Sequence, residues 1–176
     1  ANGYSLTCTG ATLALTSGNI TVDPGISATI GVALAGTGAV NKLGDGTLVI
    51  NTTATNTGGW NIQAGEVQIG NVNIGSATAS TITIASGATL RTTTGTNAIS
   101  DTSTLQIDAG GLFLFNQNNT ETVRSLEGAG LFDRTDGGTT ARNFTINNSV
   151  ADATWAGVIA GSSRSEEHTS ELQSHH

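Results

Sequence analysis

The chain has 176 residues, the size of one domain, with a formal net charge of −7, 11% charged and 4% aromatic residues. One lysine, five arginines and no long apolar run argue against a helical bundle, a membrane-spanning helix and a nucleic-acid-binding surface. The 24 glycines and 30 threonines instead favour an all-β chain of short strands and tight turns.

A repeat of alternating aliphatic and polar residues around a glycine recurs along the chain. It occupies residues 20–30, 61–70, 81–90 and 105–115. The shared glycines are Gly25, Gly65, Gly87 and Gly110, at spacings of 40, 22 and 23 residues, and 40 is close to two units. A period in the twenties with alternation inside each unit is typical of a solenoid, because one unit cannot bury its apolar face alone.

We therefore predict a parallel β-helix of about seven turns over residues 1–163. The glycines should lie at equivalent corners, and outward polar side chains can stack into ladders. The competing fold is a β-sandwich, but the chain has few of the Asn-Gly and Asp-Gly pairs that hairpins need. The predicted inward residues are Ile62, Val67, Ile69, Ile82, Ile84, Leu90, Leu105 and Ile107.

Four consecutive apolar residues, 112–115, hide the alternation in the last repeat. Aligning Gly110 with Gly87 places Phe113 beside Leu90 and Leu112 beside Thr89. This register predicts that Phe113 and Phe115 point into the core. Leu112 and Leu114 should then be exposed and available for a contact with a partner.

The last 13 residues differ from the rest of the chain. The stretch RSEEHTSELQS at 164–174 is densely charged, lacks glycine and shows no β pattern. It resembles the translation of a common sequencing adapter, and His175 fits the next base of that adapter. We therefore divide the chain into a β-helix fragment, residues 1–163, and an artefactual tail, residues 164–176, that is not part of the fold.

Residues 38–71 resemble the autotransporter-associated β-strand repeat of bacterial surface proteins. The match has a middle part at 56–59, and its first and last parts consist of Lys42, Gly44, Gly46, Thr47, Leu48 and Ile50, and of Ile62, Gly65, Val67, Ile69 and Gly70. Trp60 stands where that family usually has threonine. Residues 98–161 are similar to the segment that accompanies such repeats.

This resemblance implies a right-handed, single-stranded parallel β-helix that forms the passenger domain of an autotransporter or adhesin. Such a segment is secreted to the bacterial cell surface, at the outer membrane, and acts as a rigid rod or binding surface. The resemblance further implies a C-terminal translocation barrel in the full-length protein. The expected partner is a host surface, a neighbouring cell or extracellular matrix, with no nucleic acid and no small-molecule cofactor.

Residues that could carry catalysis are sparse, and we expect no enzymatic activity, catalytic residue, metal site or cofactor. Residues 1–163 contain no histidine, and Cys8 is interpreted as a small apolar residue on a strand. Lys42 is interpreted as a surface or ladder residue, and Gly44-Asp45-Gly46 occurs once, without the iteration of calcium-binding repeats.

The alternative function is a β-helical carbohydrate-active enzyme, a polysaccharide lyase or hydrolase. Such an enzyme needs carboxylates and a base on one solvent-facing surface. Convergence of three charged residues from the densest group in one groove would favour the enzyme, whereas scattered positions would favour a spacer. That group is Arg124, Glu127, Asp133, Arg134 and Asp136.

Overall fold

The computed structural model describes residues 3–16, 18–70, 72–75, 79–93, 97–115, 120–134, 143–147 and 153–160. Within these ranges the chain forms eighteen short β-strands and no helix. The first nine are β1 Tyr4–Leu6, β2 Thr12–Ala14, β3 Gly18–Thr21, β4 Ser27–Ile30, β5 Ala33–Ala35, β6 Val40–Leu43, β7 Thr47–Ile50, β8 Trp60–Ile62 and β9 Glu66–Ile69. The others are β10 Thr81–Ile84, β11 Thr89–Thr92, β12 Thr104–Ile107, β13 Leu112–Phe115, β14 Glu121–Val123, β15 Ser125–Gly128, β16 Leu131–Asp133, β17 Phe144–Ile146 and β18 Val158–Ile159.

The strands stack as a parallel β-solenoid. The first sheet has eight strands in the order β1-β4-β7-β9-β11-β13-β16-β18, and the second has six, from β3 to β15. A third face consists of the pairs β2–β5 and β14–β17, with single bridges from Leu34 through Ala54 and Ile74 to Ile99. Each turn visits the first sheet, the third face and then the second sheet.

All strand pairs between the described residues are parallel, so the β-sandwich alternative is wrong and the predicted β-helix is confirmed. The six strands of the second sheet give about six turns, slightly fewer than predicted from the average period. Turn length varies from the 19-residue step between Leu48 and Val67 to the 27-residue step between Phe132 and Ile159. The division at residue 163 lies outside the described residues.

The corner between the second and first sheets depends on glycine. Gly25, Gly65, Gly87 and Gly110 all lie there with φ between 67° and 85°, as the repeat predicted. Gly44, with φ 74°, occupies the same corner of the intervening turn. The 40-residue spacing between Gly25 and Gly65 therefore corresponds to two turns, with Gly44 at the corner between them. Glycine recurs at this corner because it adopts the left-handed conformation more readily than other residues.

Alternation within each strand fills a continuous apolar core. All eight residues predicted to face inward, from Ile62 to Ile107, are fully buried. They form columns one residue wide, such as Ile62–Ile84–Ile107 in the second sheet. Trp60, the departure from the repeat family, is also fully buried and lies in a column between Val40 and Ile82.

The predicted register of β13 and the outward phase of its two leucines are confirmed, whereas the predicted exposure of Leu114 is wrong. Leu90 pairs with Phe113, and both Phe113 and Phe115 are buried in an aromatic cluster with Phe132 and Phe144. Leu114 points outward but is only 7% exposed, because it lies in an outer column between the long side chain of Arg91 and Asp133. Leu112 is half-buried.

We expect Ile84→Ala to lower the free energy of unfolding by about 2–5 kcal/mol, because it leaves a cavity between Ile62 and Ile107. The control is Thr83→Ala on the outward face of the same strand, which should cost less than about 1 kcal/mol. Urea titration of both variants measures the difference. An equal loss of unfolding free energy in the two variants would show that Ile84 does not contribute to the core.

Two glycines with the same backbone conformation separate the effect of strain from that of steric overlap. Gly25 has φ 74° and open space where a Cβ would be, whereas a Cβ on Gly65, with φ 67°, would lie 2.6 Å from the Gly44 carbonyl oxygen. We expect Gly25→Ala to cost about 1–2 kcal/mol and Gly65→Ala clearly more. Thermal and urea unfolding measure both, and a Gly65→Ala variant as stable as Gly25→Ala would contradict close packing at this corner.

Candidate functional site

The charged residues of the enzyme alternative are distributed over different parts of the turn. Glu127 belongs to β15 in the second sheet, and Asp133 ends β16 in the first. Arg124 lies between β14 and β15, where its backbone nitrogen donates to the Ser103 carbonyl oxygen. Arg134 follows β16, and Asp136 lies outside the described residues.

The carboxylates of this group make local hydrogen bonds. Glu127 Oε1 accepts from Ser125 Oγ at 3.1 Å on its own strand, and Asp133 Oδ1 accepts from the Arg134 backbone nitrogen at 2.7 Å. No ion pair joins Arg124, Glu127 and Asp133 to one another in the described structure. An ion pair does occur on the outer face of the first sheet, where Arg91 Nε lies 2.6 Å from Glu66 Oε1.

Lys42 is fully buried, so its interpretation as a surface residue is wrong. It follows Val40 by two residues in β6 and therefore shares the inward phase of that strand, in a column between Ile20 and Ile62. The alternation of β6 places Lys42 on the inward face, whereas the charge of a lysine side chain favours an outward position. The aliphatic part of the Lys42 side chain occupies the position that isoleucine holds in the neighbouring turns.

The ammonium group of Lys42 joins two corners of the solenoid. Nζ donates to the carbonyl oxygens of Gly44 at 2.6 Å, Ala64 at 3.0 Å and Leu43 at 3.1 Å. An ammonium has three donors, and all three are used on the backbone. Burial lowers the pKa of Lys42, and the nearby Asp45 carboxylate partly opposes this effect. The group has no exposed surface through which to reach a substrate.

Glu121 is a second buried ionisable residue, which the sequence did not single out. Its carboxylate accepts from the backbone nitrogens of Ala98, at 2.8 Å, and Ile99, at 3.1 Å. Its own backbone nitrogen donates to the Asn143 carbonyl oxygen at 2.9 Å. Glu121 thus connects three successive turns of the third face, where no backbone bridge links Ile99 to β14 in the described part of the chain.

Burial raises the pKa of Glu121 from 4.5 to about 7, and repulsion from Asp101 adds to the effect. The amides of Ala98, Ile99 and Thr122 act in the opposite direction, because they stabilise the ionised carboxylate. Shifted pKa values are frequent in active sites. Here, however, the side chain is fully buried and both carboxylate oxygens bind the backbone.

The outer surface of the second sheet carries a polar ladder. Asn41 Nδ2 donates to Asn19 Oδ1 at 2.9 Å, and Asn61 Nδ2 donates to Asn41 Oδ1 at 2.8 Å. The same outward column continues through Thr83, Gln106 and Glu127. This confirms the predicted stacking of polar side chains along the axis.

An apolar groove lies at the glycine corner, on the outer face of the first sheet. Leu112, Leu131 and Val158 form one outward column and line it together with Gly110, Gly111, Ala129 and Gly130. Its volume is about 480 Å³. Of the two leucines predicted to form a contact surface, Leu112 belongs to this groove, and Leu114 does not.

Cys8 is exposed between β1 and β2, so its predicted position on a strand is wrong. Among the described residues, no three histidine, cysteine, aspartate or glutamate side chains are placed to hold a metal ion. The same residues form no helix long and apolar enough to cross a membrane.

Comparison with known proteins gave no relative: no protein-family model matches the chain, and neither a curated protein nor a solved structure is detectably similar. The resemblance of residues 38–71 to the autotransporter-associated repeat therefore stays a prediction.

We expect Lys42→Met to lower the free energy of unfolding by about 2–4 kcal/mol. The apolar stem is kept, but the carbonyl oxygens of Gly44 and Ala64 lose their hydrogen-bond donor. Lys42→Ala should cost more, because it adds a cavity. Urea unfolding measures both variants. A Lys42→Met variant as stable as the wild type would show that desolvation of the ammonium cancels its hydrogen bonds.

Glu121 should make the protein less stable as pH rises from about 4.5 to about 7. In this window the folded protein retains a proton that the unfolded chain has released, because the folded pKa is the higher one. The full loss is roughly 3 kcal/mol, complete above the folded pKa. Urea unfolding across this pH range measures it. Glu121→Gln cannot titrate and should lack this component, so identical pH profiles for variant and wild type would contradict the assignment.

Proposed function

We propose that this chain is a structural and adhesive segment of an exported bacterial surface protein, in which a rigid β-solenoid presents binding surfaces away from the cell. The observation that carries the proposal is the continuous parallel sheet from β1 to β18. Eight strands spaced at about 4.8 Å make a rod roughly 35 Å long. All eighteen described strands belong to this one stack or to the faces that close it.

The use of the two buried ionisable groups supports a non-enzymatic role. Lys42 directs all three of its donors to the corners of the solenoid, and Glu121 directs both carboxylate oxygens to backbone amides. Catalytic acids and bases instead need a path to the substrate. The surface carries a polar ladder and a shallow apolar groove, which are features suited to binding.

Export and adhesion are supported by the resemblance of residues 38–71 to repeats of autotransporter passenger domains. On this proposal the segment is secreted to the outer-membrane surface, with a translocation barrel elsewhere in the full-length protein. It contacts a host surface, a neighbouring cell or extracellular matrix. The fold alone does not define the partner, since β-helices also occur in enzymes.

Display on a non-adherent bacterium tests the adhesive role. The chain is fused to a translocation barrel, and attachment to cultured cells, matrix proteins and neighbouring bacteria is compared with that of the barrel alone. A second control carries Ile84→Lys, which places a charge in the core and destroys the fold. Attachment above both controls is expected. Attachment equal to that of the barrel alone would overturn the adhesive role.

Incubation of the purified chain with acidic and neutral polysaccharides tests the enzyme alternative. We expect no new reducing ends and no unsaturated sugar products above those of the Ile84→Lys control. Product formation would overturn the non-enzymatic proposal. Its loss in Glu127→Gln or Asp133→Asn would then identify the carboxylate responsible.

A further inference from the structure

The outer face of the first sheet consists of two columns of outward side chains. One column runs through β4, β7, β9 and β11 with polar side chains and continues through β13 and β16 with Leu112 and Leu131. The second column places Arg91, Leu114 and Asp133 in three successive turns. The apolar part of the face therefore lies beside a positive and a negative side chain that are two turns apart.

Arg91 and Asp133 can each form a further ion pair. The Arg91 side chain is 37% exposed and contacts Glu66 Oε1 through Nε. A guanidinium carries five N–H donors, so this contact leaves donors for a second carboxylate. Asp133 Oδ1 accepts from the backbone nitrogen of Arg134, and Asp133 has no ion-pair partner within the described part of the chain. The face thus offers one cation and one anion that can bind a partner.

The three strands that carry these residues lie inside the stack. β11 pairs with β9 and β13, and β16 pairs with β13 and β18. Because β11, β13 and β16 have a neighbour on both sides, their backbone edges are occupied, and a partner on this face meets their outward side chains. Leu112 and Leu131 are half-buried, so each keeps apolar surface that a partner can cover.

We propose that two copies of this chain associate face to face through β11, β13 and β16, with a two-fold axis parallel to the strands at the level of β13. This axis reverses the stacking direction, so β11 of one copy lies opposite β16 of the other. Arg91 then faces Asp133 of the second copy, and the symmetry repeats this pair on the other side of the axis. Between the two pairs, Leu112 meets Leu112 of the second copy.

The two charges select this register among those that place the axis on one of the three strands. With the axis at β11, Arg91 would face Arg91 of the second copy, and with the axis at β16, Asp133 would face Asp133. Like charges in direct opposition across an interface are unfavourable. The axis at β13 is the one that brings opposite charges together, and it does so twice.

A symmetric contact of this kind uses the same patch on both copies, so it closes at the dimer. Leu131 faces Thr89 of the second copy, and the two copies together cover the leucines of both faces. The inference depends on the arrangement of the outer columns and not on the adhesive role proposed above.

Sedimentation velocity of the full chain over a wide concentration range tests the proposal. The wild type should show a monomer–dimer equilibrium, and dimerisation should weaken at about 1 M salt, where exposed charges are screened. Arg91→Glu and Asp133→Arg each place like charges opposite one another in both pairs, which should weaken dimerisation about tenfold or more. The matched control is Glu127→Arg, which reverses an outward charge on the second sheet and should dimerise as the wild type does.

Mixing the two charge-reversal variants tests the register. An Arg91→Glu copy and an Asp133→Arg copy oppose each other with opposite charges in both pairs, so the mixture should dimerise as strongly as the wild type although neither variant does so alone. A strictly monomeric wild type would overturn the proposal. So would a mixture that stays monomeric, or either variant alone dimerising at wild-type strength. Circular dichroism of each variant confirms that the strands are retained.

Discussion

Backbone pairing between successive turns is the constraint on which the rest of this structure depends. Because the described strand pairs are parallel, each side chain packs between the aligned side chain one turn before it and the aligned side chain one turn after it. A column can therefore change its chemistry only if the change is matched locally. Lys42 can occupy a position in a column of isoleucines because three carbonyl oxygens at the adjacent corners accept hydrogen bonds from its ammonium group.

Glu121 solves a different problem by similar means. Where the third face lacks a backbone bridge after Ile99, its carboxylate oxygens receive the amides of Ala98 and Ile99. Buried backbone donors must find partners, and here a side chain supplies the acceptor that a strand would otherwise supply. The aromatic cluster also follows from the stacking of aligned side chains. Leu90 is followed in the next two turns by Phe113 and Phe132. The ring centroids of these two phenylalanines lie 5.2 Å apart.

The main features of the fold could be predicted from the sequence because they depend on local periodicity. Alternation identified every predicted core residue, and the spacing of Gly65, Gly87 and Gly110 identified the corner. The errors concern residues whose environment depends on neighbours a full turn away. Lys42 was assigned by its charge although its phase is inward, and Leu114 was assigned by its phase although the residues beside it cover it. Glu121 carries no local signal, since its amide partners precede it by 22 and 23 residues. The surfaces that would bind a partner depend on such long-range contacts, and periodicity does not identify them.

The separation of β1 and β18 by the full height of the stack determines how the rod responds to mechanical force. Tension applied at the two ends of the chain lifts one turn at a time from its neighbour, so it breaks a few parallel hydrogen bonds in sequence rather than a whole sheet at once. The connections across turns then act as points of higher resistance. Lys42 ties adjacent turns near one end, and Glu121 spans three turns near the other. Such a rod would lengthen in steps under tension. The turns between Lys42 and Glu121 would stay folded until the hydrogen bonds of these two side chains break.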